Sequence, residues 1–128
     1  MEKIKFRELI TKSGTRILAG KDEKSNEKLV AQIEKNEEVF HTASPGSPFV
    51  NIKGKAEKSD IKEAVVFCAR YSIELKKIKK YVIVHQFKGK DIYKKKGMKT
   101  GTFGVKKVKI IRVKKKDIEK FEKDSREV

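Results

Sequence analysis

A stretch from Lys76 to Lys116 holds half of the basic residues of this 128-residue chain and restricts how the chain can fold. It contains 17 of the 34 Lys and Arg residues but a single acid, Asp91, so it carries the whole formal net charge of +16. Charge of one sign repels itself and opposes a compact state, so a reason outside folding is expected for it. We interpret the stretch as a surface for a polyanion.

Composition and length limit the class of protein to which the chain can belong. With 37% hydrophobic and 41% charged residues, a compact core under a charged surface is expected. The length predicts one domain over residues 1–128, with a core at about 5–113 and a short C-terminal helix or tail at 114–128. The single cysteine, Cys68, excludes an internal disulfide and a cysteine-based metal site. No charged-then-apolar leader and no long apolar run occurs, so a cytoplasmic protein without a transmembrane segment is expected.

Periodicity predicts a mixture of strands and helices. Strands are expected at 5–10, 15–19, 39–42, 49–52, 81–87 and 103–113, the last either continuous or split near 106–107. Short helices are expected at 25–34 and 116–123, and a long central helix at 60–76, capped by Ser59 or Asp60. In the strand at 81–87, alternation places Tyr81, Ile83, His85 and Phe87 on one face. The fold class is α+β, with a mixed or antiparallel sheet, one long central helix and one or two short helices.

Several short motifs occur in a fixed order along the chain. They are Phe6, Gly14, Gly20-Lys21-Asp22, Asn26-Glu27-x-Leu29, His41, Pro45-Gly46-Ser47, Ala69-Arg70-Tyr71-Ser72 and Lys99-x-Gly101-x-Phe103. Each motif alone is common in turns, but their order is specific. It resembles the NFACT-R family (DUF814), the C-terminal RNA-binding module of NFACT ribosome quality-control factors, which also exists as a stand-alone protein. The resemblance covers about residues 5–113.

This resemblance implies a non-enzymatic RNA-binding module that acts on tRNA or the large ribosomal subunit, in translation or ribosome-associated quality control. The multidomain relatives also carry an N-terminal domain and a coiled coil, which this sequence lacks. A role that needs those parts therefore implies a separate NFACT-type partner protein. Lys21 stands where the family often has Arg, which keeps the charge but loses the bidentate fork. His41 matches the family's histidine and is expected to orient the following loop or to contact a phosphate or a 2′-hydroxyl.

Candidate RNA contacts come from the basic stretch and from one loop. The run from Lys94 to Lys99 has no acid, and Gly97 within it lets the backbone approach a ligand. The loop at 44–48 offers hydroxyls and a backbone amide, although a rigid strand connection explains it somewhat better. Because aromatic residues near the lysines are few, recognition of a structured RNA by shape and backbone fits better than a stacking platform. The predicted RNA-binding residues are Lys21, His41, Ser44, Gly46, Ser47, Lys88, Lys94, Lys95, Lys96, Lys99, Lys106 and Lys107.

Catalysis has no support in the sequence. The two histidines lack a third ligand at metal spacing, no paired carboxylates occur, and Cys68 lies among apolar residues of a predicted helix. We therefore predict no catalytic residue, metal or cofactor. Two other functions stay open, a DNA-binding accessory protein and a basic module that docks on an acidic protein or a membrane surface. No recognition-helix pattern supports sequence-specific DNA reading, and no amphipathic anchor supports membrane binding.

Overall fold

A computed structural model of the protein describes residues 5–42, 47–72 and 81–123. Within these ranges the chain forms an antiparallel sheet of six strands in the order β1-β2-β4-β3-β5-β8, and a separate hairpin of β6 and β7. The strands are β1 (Arg7–Ile10), β2 (Arg16–Ala19), β3 (Glu38–Thr42), β4 (Val50–Ile52), β5 (Tyr81–Lys88), β6 (Ile92–Tyr93), β7 (Gly104–Val105) and β8 (Lys109–Lys114). The helices are α1 (Glu23–Ala31), α2 (Lys58–Arg70) and α3 (Lys115–Lys123). The predicted α+β class is confirmed.

The sheet buries apolar side chains on both faces. On one face, α2 packs across β3, β4, β5 and β8, and α3 packs beside it. The core on this face includes Phe40, Phe67, Val82 and Val84. On the opposite face, α1 and the β6–β7 hairpin cover a second core that is built from Leu18, Leu29, Val39, Phe49 and Phe87. A chain with modest apolar content therefore folds around two thin cores that share one sheet.

The prediction of one long central helix is not confirmed. The helix α2 begins at Lys58 and ends at Arg70, with Glu57 at the N-cap and Tyr71 at the C-cap. Neither Ser59 nor Asp60 is the N-cap residue, since both lie inside the helix. The carboxylate of Asp60 instead accepts a hydrogen bond from the amide of the N-cap residue Glu57 at 3.0 Å. Residues 73–80 lie outside the described residues.

The other helix and strand boundaries differ from the predictions by a few residues. The helix α1 begins earlier than predicted because the carboxylate of Asp22 accepts the Ser25 amide at 2.8 Å and caps the helix. The predicted strand at 103–113 is split into β7 and β8 near Lys106-Lys107, which was one of the two predicted alternatives. The face prediction for β5 is confirmed. Val82 and Val84 lie in the α2-side core, and Phe87 lies in the core of the opposite face.

Candidate nucleic-acid interface

The lysine-rich connection between β6 and β7, residues 94–103, is called here the basic loop, and Glu27 of α1 anchors it. One carboxylate oxygen of Glu27 accepts hydrogen bonds from Lys94 Nζ at 2.7 Å and from the Gly101 amide at 3.1 Å. Lys94 Nζ also donates to the carbonyls of Lys99 at 2.6 Å and Thr102 at 2.8 Å. The Lys94 side chain lowers the pKa of Glu27, which keeps this carboxylate charged. The basic loop is therefore held in one shape by its own first lysine.

Close packing brings the basic loop against the first turn of α1. Gly101 has a φ of +79°, and a Cβ there would lie 2.9 Å from both Cα and O of Glu23. Phe103 follows, and its ring meets Phe49 edge to face with centroids 5.5 Å apart. Only glycine satisfies both the positive φ and the contact at position 101. The Lys99-x-Gly101-x-Phe103 motif thus contains two residues that attach the loop to the fold.

The Gly20 and Asn26 motif residues form a second junction, between α1 and β4. The buried side chain of Asn26 accepts the Phe49 amide at 3.1 Å, and the Gly20 amide donates to the Phe49 carbonyl at 3.1 Å. A Cβ on Gly20 would collide with the Asn26 side chain. These residues fix the position of α1 and therefore of the anchor Glu27.

An open cleft of about 1190 Å³ lies between the start of α1, the basic loop and the sheet. Its floor consists of His41, Ser47, Phe49, His85 and Phe87. Asp22, Glu23 and Lys24 at the start of α1 also line it, as do Lys99, Thr100 and Thr102 of the basic loop. The Asp22 carboxylate is used in capping α1. The cleft combines an aromatic floor with hydroxyl side chains, two lysines and two acids.

His41 is held in a fixed orientation on the cleft floor. Its ring stacks on Phe49 with centroids 4.3 Å apart, and its Nε2 donates to the Ser47 carbonyl at 3.0 Å. Burial lowers the pKa of His41, the backbone of Ser47 and Thr42 opposes this effect, and the nearby His85 lowers the pKa further. A neutral imidazole at neutral pH offers shape and a ring face, and it does not supply a positive charge for phosphate.

The Ser47 hydroxyl is buried and has an internal partner. It accepts a hydrogen bond from the Thr42 hydroxyl. Ser47 is therefore suited to positioning His41, and direct recognition of RNA by its hydroxyl stays a prediction. Ser44 and Gly46, the other predicted loop contacts, lie outside the described residues.

The predicted lysines divide into two groups. Two of them form ion pairs, Lys94 with Glu27 and Lys88 with Glu38, each at 2.7 Å. The others are exposed and make no ion pair with a residue of the described ranges: Lys21, Lys95, Lys96, Lys99, Lys106 and Lys107. This second group is available for phosphate contacts, whereas Lys88 and Lys94 are already engaged.

Two residues that matter at this site are absent from the predicted set, Lys24 in the cleft lining and Glu27 beneath the basic loop. Lys24 was missed because its position in the cleft lining depends on where α1 packs, which no local pattern reveals. Glu27 was recognised only as part of a motif, and its ion pair with Lys94 gives the physical reason for an acid at this position.

The described residues contain no group of three or more His, Cys, Asp or Glu side chains that could hold a metal ion. Among the same residues, no helix is both long enough and apolar enough to cross a membrane.

The fold and the cleft define a small α+β domain with a basic loop docked beside an aromatic-floored cleft. The family model described as the NFACT protein RNA binding domain matches residues 5–107. The chain belongs to this family, and the membership indicates an RNA-binding module with RNA as a partner.

Structural comparison agrees on the fold. The solved C-terminal structure of the fibronectin/fibrinogen-binding protein from Streptococcus suis is similar to this chain, with a TM-score of 0.78 and 24% sequence identity. The similarity covers 94% of this chain and 49% of that one, so the chain spans about half of that solved structure. No match was found among curated proteins.

Proposed function

We propose that the cleft and the exposed lysines around it bind a structured RNA, either tRNA or RNA of the large ribosomal subunit. The observation that carries this proposal is that Lys24 and Lys99, neither of which is in an ion pair with a described residue, line one cleft. The sequence from residue 92 to residue 116, which includes the cleft-lining residues 99–103, 105 and 108, contains no acid. Asp22 and Glu23 also line the cleft, so the excess of positive charge comes from the exposed lysines beside it, and such lysines suit a phosphate backbone.

In the proposed binding mode, different side chains provide affinity for phosphates and recognition of RNA. Exposed lysines bind phosphates without reading sequence, and the candidates are Lys95, Lys96, Lys99, Lys106 and Lys107. The hydroxyls of Thr100 and Thr102 lie at the cleft wall, where they can meet 2′-hydroxyls. Because Glu27 and Gly101 hold the basic loop before RNA arrives, less ordering entropy is lost on binding.

We also propose that the protein binds RNA without a chemical step. Burial raises the pKa of the Cys68 thiol, which suits an inert core residue and not a nucleophile. The imidazole Nε2–H of His41 is committed to a backbone carbonyl. An RNA cleavage activity that disappears in a His41→Ala protein would overturn this part of the proposal.

Membership of the family supports a proposal about the cellular setting. We propose that the protein works in the cytoplasm, on or near the ribosome in translation or ribosome-associated quality control. A separate NFACT-type protein is the proposed partner for functions that require the parts found in multidomain relatives. Cross-linking in cells followed by sequencing of the bound RNA tests this setting, with enrichment of tRNA or large-subunit RNA expected.

A competition assay tests the class of ligand. Labelled tRNA is displaced by unlabelled tRNA, by duplex DNA of equal charge and by anionic vesicles at physiological salt. The proposal predicts that unlabelled tRNA competes best. Equal competition by all three would indicate a generic cationic surface, and a preference for duplex DNA would favour a DNA-binding accessory protein.

A further inference from the structure

No described helix or hairpin covers the half of the sheet formed by β5 and β8 on the face that continues the cleft floor. Strand register places His41, His85 and Ile110 in one row across β3, β5 and β8. His41 and His85 line the cleft, whereas Ile110 is 63% exposed. Tyr81 lies further along β5 and is 41% exposed. Among the described residues, α1 and the β6–β7 hairpin cover only the other half of this face.

Cations are interleaved with these exposed apolar side chains. Arg112 pairs in register with Ile83 and therefore shares their face, and its guanidinium lies 5.3 Å from the ring centroid of Tyr81. Lys114 pairs with Tyr81 on the same face. An exposed ring beside a guanidinium offers a stacking surface together with a charge for the adjoining phosphate. Exposed apolar groups that adjoin one another on a surface, unlike single ones, indicate a binding site.

We propose that this open face, formed by Tyr81, Ile83, His85, Ile110 and Arg112, receives unpaired nucleotides that extend from the structured RNA in the cleft. The inference rests on the proposed RNA binding and adds a substrate feature to it, a single-stranded segment next to a folded one. Stacking on Tyr81 contributes to affinity with any base, because every base has a π-face.

The positive charge of this face favours unpaired nucleotides over a second copy of the chain or an apolar protein surface. A second copy of the chain would bring the same excess of cations against itself, and like charges repel. An apolar protein surface would leave Arg112 and Lys114 without a counter-charge at the contact. Unpaired nucleotides supply both bases for the apolar groups and phosphates for the cations.

Three RNA ligands test the inference by fluorescence anisotropy at one physiological salt concentration. The first is a blunt hairpin, the second is the same hairpin with a four-nucleotide unpaired 3′ extension, and the third carries an abasic extension with the same phosphates. We expect the normal extension to strengthen wild-type binding about fivefold or more over the blunt hairpin, because one stacked base contributes about that factor. The abasic extension should add much less, since it provides charge without a ring.

Three variants distinguish a loss of stacking from a loss of folding. In Tyr81→Ala the gain from the normal extension should disappear while blunt-hairpin affinity is unchanged, and Tyr81→Phe should retain the gain. Ile110→Ser should reduce it. Tyr81 and Ile110 are exposed, so all three variants should melt within a few degrees of wild type.

The outcomes separate this inference from the proposed function. If the wild type binds no hairpin, the proposed function itself fails. If it binds the blunt and extended hairpins equally, or the abasic and normal extensions equally, only the open-face inference fails. Concentration-dependent dimerisation that Ile110→Ser abolishes in sedimentation experiments would also overturn the inference, because the face would then be a contact between copies.

Discussion

Single polar residues buried between elements hold this highly charged chain together, and Asp60 is the clearest of them. Its side chain is fully buried and accepts hydrogen bonds from Thr11 Oγ1 at 2.7 Å, Ser13 Oγ at 2.6 Å and Thr15 Oγ1 at 3.0 Å. These partners lie in the turn between β1 and β2. One carboxylate therefore ties the first hairpin to the start of α2.

We predict that Asp60→Asn lowers the free energy of unfolding by about 1.5–3 kcal/mol, since hydrogen bonds to a charged acceptor have about this value and the amide nitrogen cannot accept the two bonds that one carboxylate oxygen receives. Urea denaturation measures the change. The matched control is Glu119→Gln, an exposed residue of α3, which should change stability by less than about 0.5 kcal/mol. Equal losses in both proteins would contradict the role assigned to Asp60.

His41 gives a prediction about pH. Burial lowers the pKa of His41 from its ordinary value of 6.5, so the unfolded chain binds this proton more readily than the folded protein does. The contribution of neutral His41 to stability is therefore complete above pH 6.5 and is lost as pH falls below it. We expect the melting temperature to drop between pH 7.5 and about pH 5.5, and to drop less in His41→Gln. Identical pH dependence in the two proteins would contradict a buried neutral histidine.

At the scale of elements, the docking of the basic loop on α1 distinguishes lysines that look alike in the sequence. Lys94, Lys95 and Lys96 are consecutive, yet only Lys94 reaches Glu27, which is 67 residues away in the chain. Lys95 extends over the Tyr93 ring at 5.6 Å, and Lys96 is exposed. The first lysine of the cluster is thus a structural residue and the next two are available to a ligand.

We predict that Lys94→Gln lowers the free energy of unfolding by about 0.5–1.5 kcal/mol, because its three hydrogen bonds are partly exposed to solvent. It should also speed hydrogen exchange at the Gly101 amide, which shares the Glu27 carboxylate. Lys96→Gln is the matched control and should change neither quantity. If Lys94→Gln and Glu27→Gln have additive effects in a double-mutant cycle, the two side chains are not coupled and the docking account is wrong.

The sequence predicts the helices and strands well and their packing poorly. Strand β5, helix α2 and the neighbours Lys94 and Lys95 show the physical reasons. Alternation in 81–87 fixes which side chains of β5 share a face, since the side-chain period of a strand is two. The length of α2 was overestimated because apolar residues continue past Arg70, although helical hydrogen bonding stops there. No local pattern distinguishes Lys94 from Lys95, since the difference depends on a contact with Glu27.

For the candidate site, too, local features could be predicted and contacts between elements could not. The basic character of residues 94–107 could be predicted from composition alone, and the order of short motifs indicated the family. The motif residues Gly20, Asn26 and Gly101 turn out to position α1 and the basic loop, a role that requires knowing their neighbours in space. The exposure of the Tyr81 ring could not be predicted from the sequence, because it depends on which half of the sheet α1 covers.

At the scale of the whole molecule, exposed lysines lie on both sides of the sheet. The helix α2 and its flanking lysines lie on the sheet face opposite the cleft, whereas the basic loop lies beside the cleft. A net charge of +16 attracts any polyanion from a distance, so overall charge alone would give some RNA binding. The central claim is narrower: specific lysines beside the cleft contact phosphates.

The dependence of tRNA affinity on salt concentration tests this claim most directly. The wild type is compared with a triple variant, Lys95→Gln, Lys96→Gln and Lys99→Gln, and with a charge-matched control, Lys55→Gln, Lys58→Gln and Lys62→Gln, at exposed positions preceding and within α2. Each lost phosphate contact should reduce the slope of log affinity against log salt by about 0.7–0.9. We predict a slope reduced by about two in the first variant and an almost unchanged slope in the control. Equal reductions in both variants would contradict the account, because binding would then follow net charge and not the lysines of the basic loop.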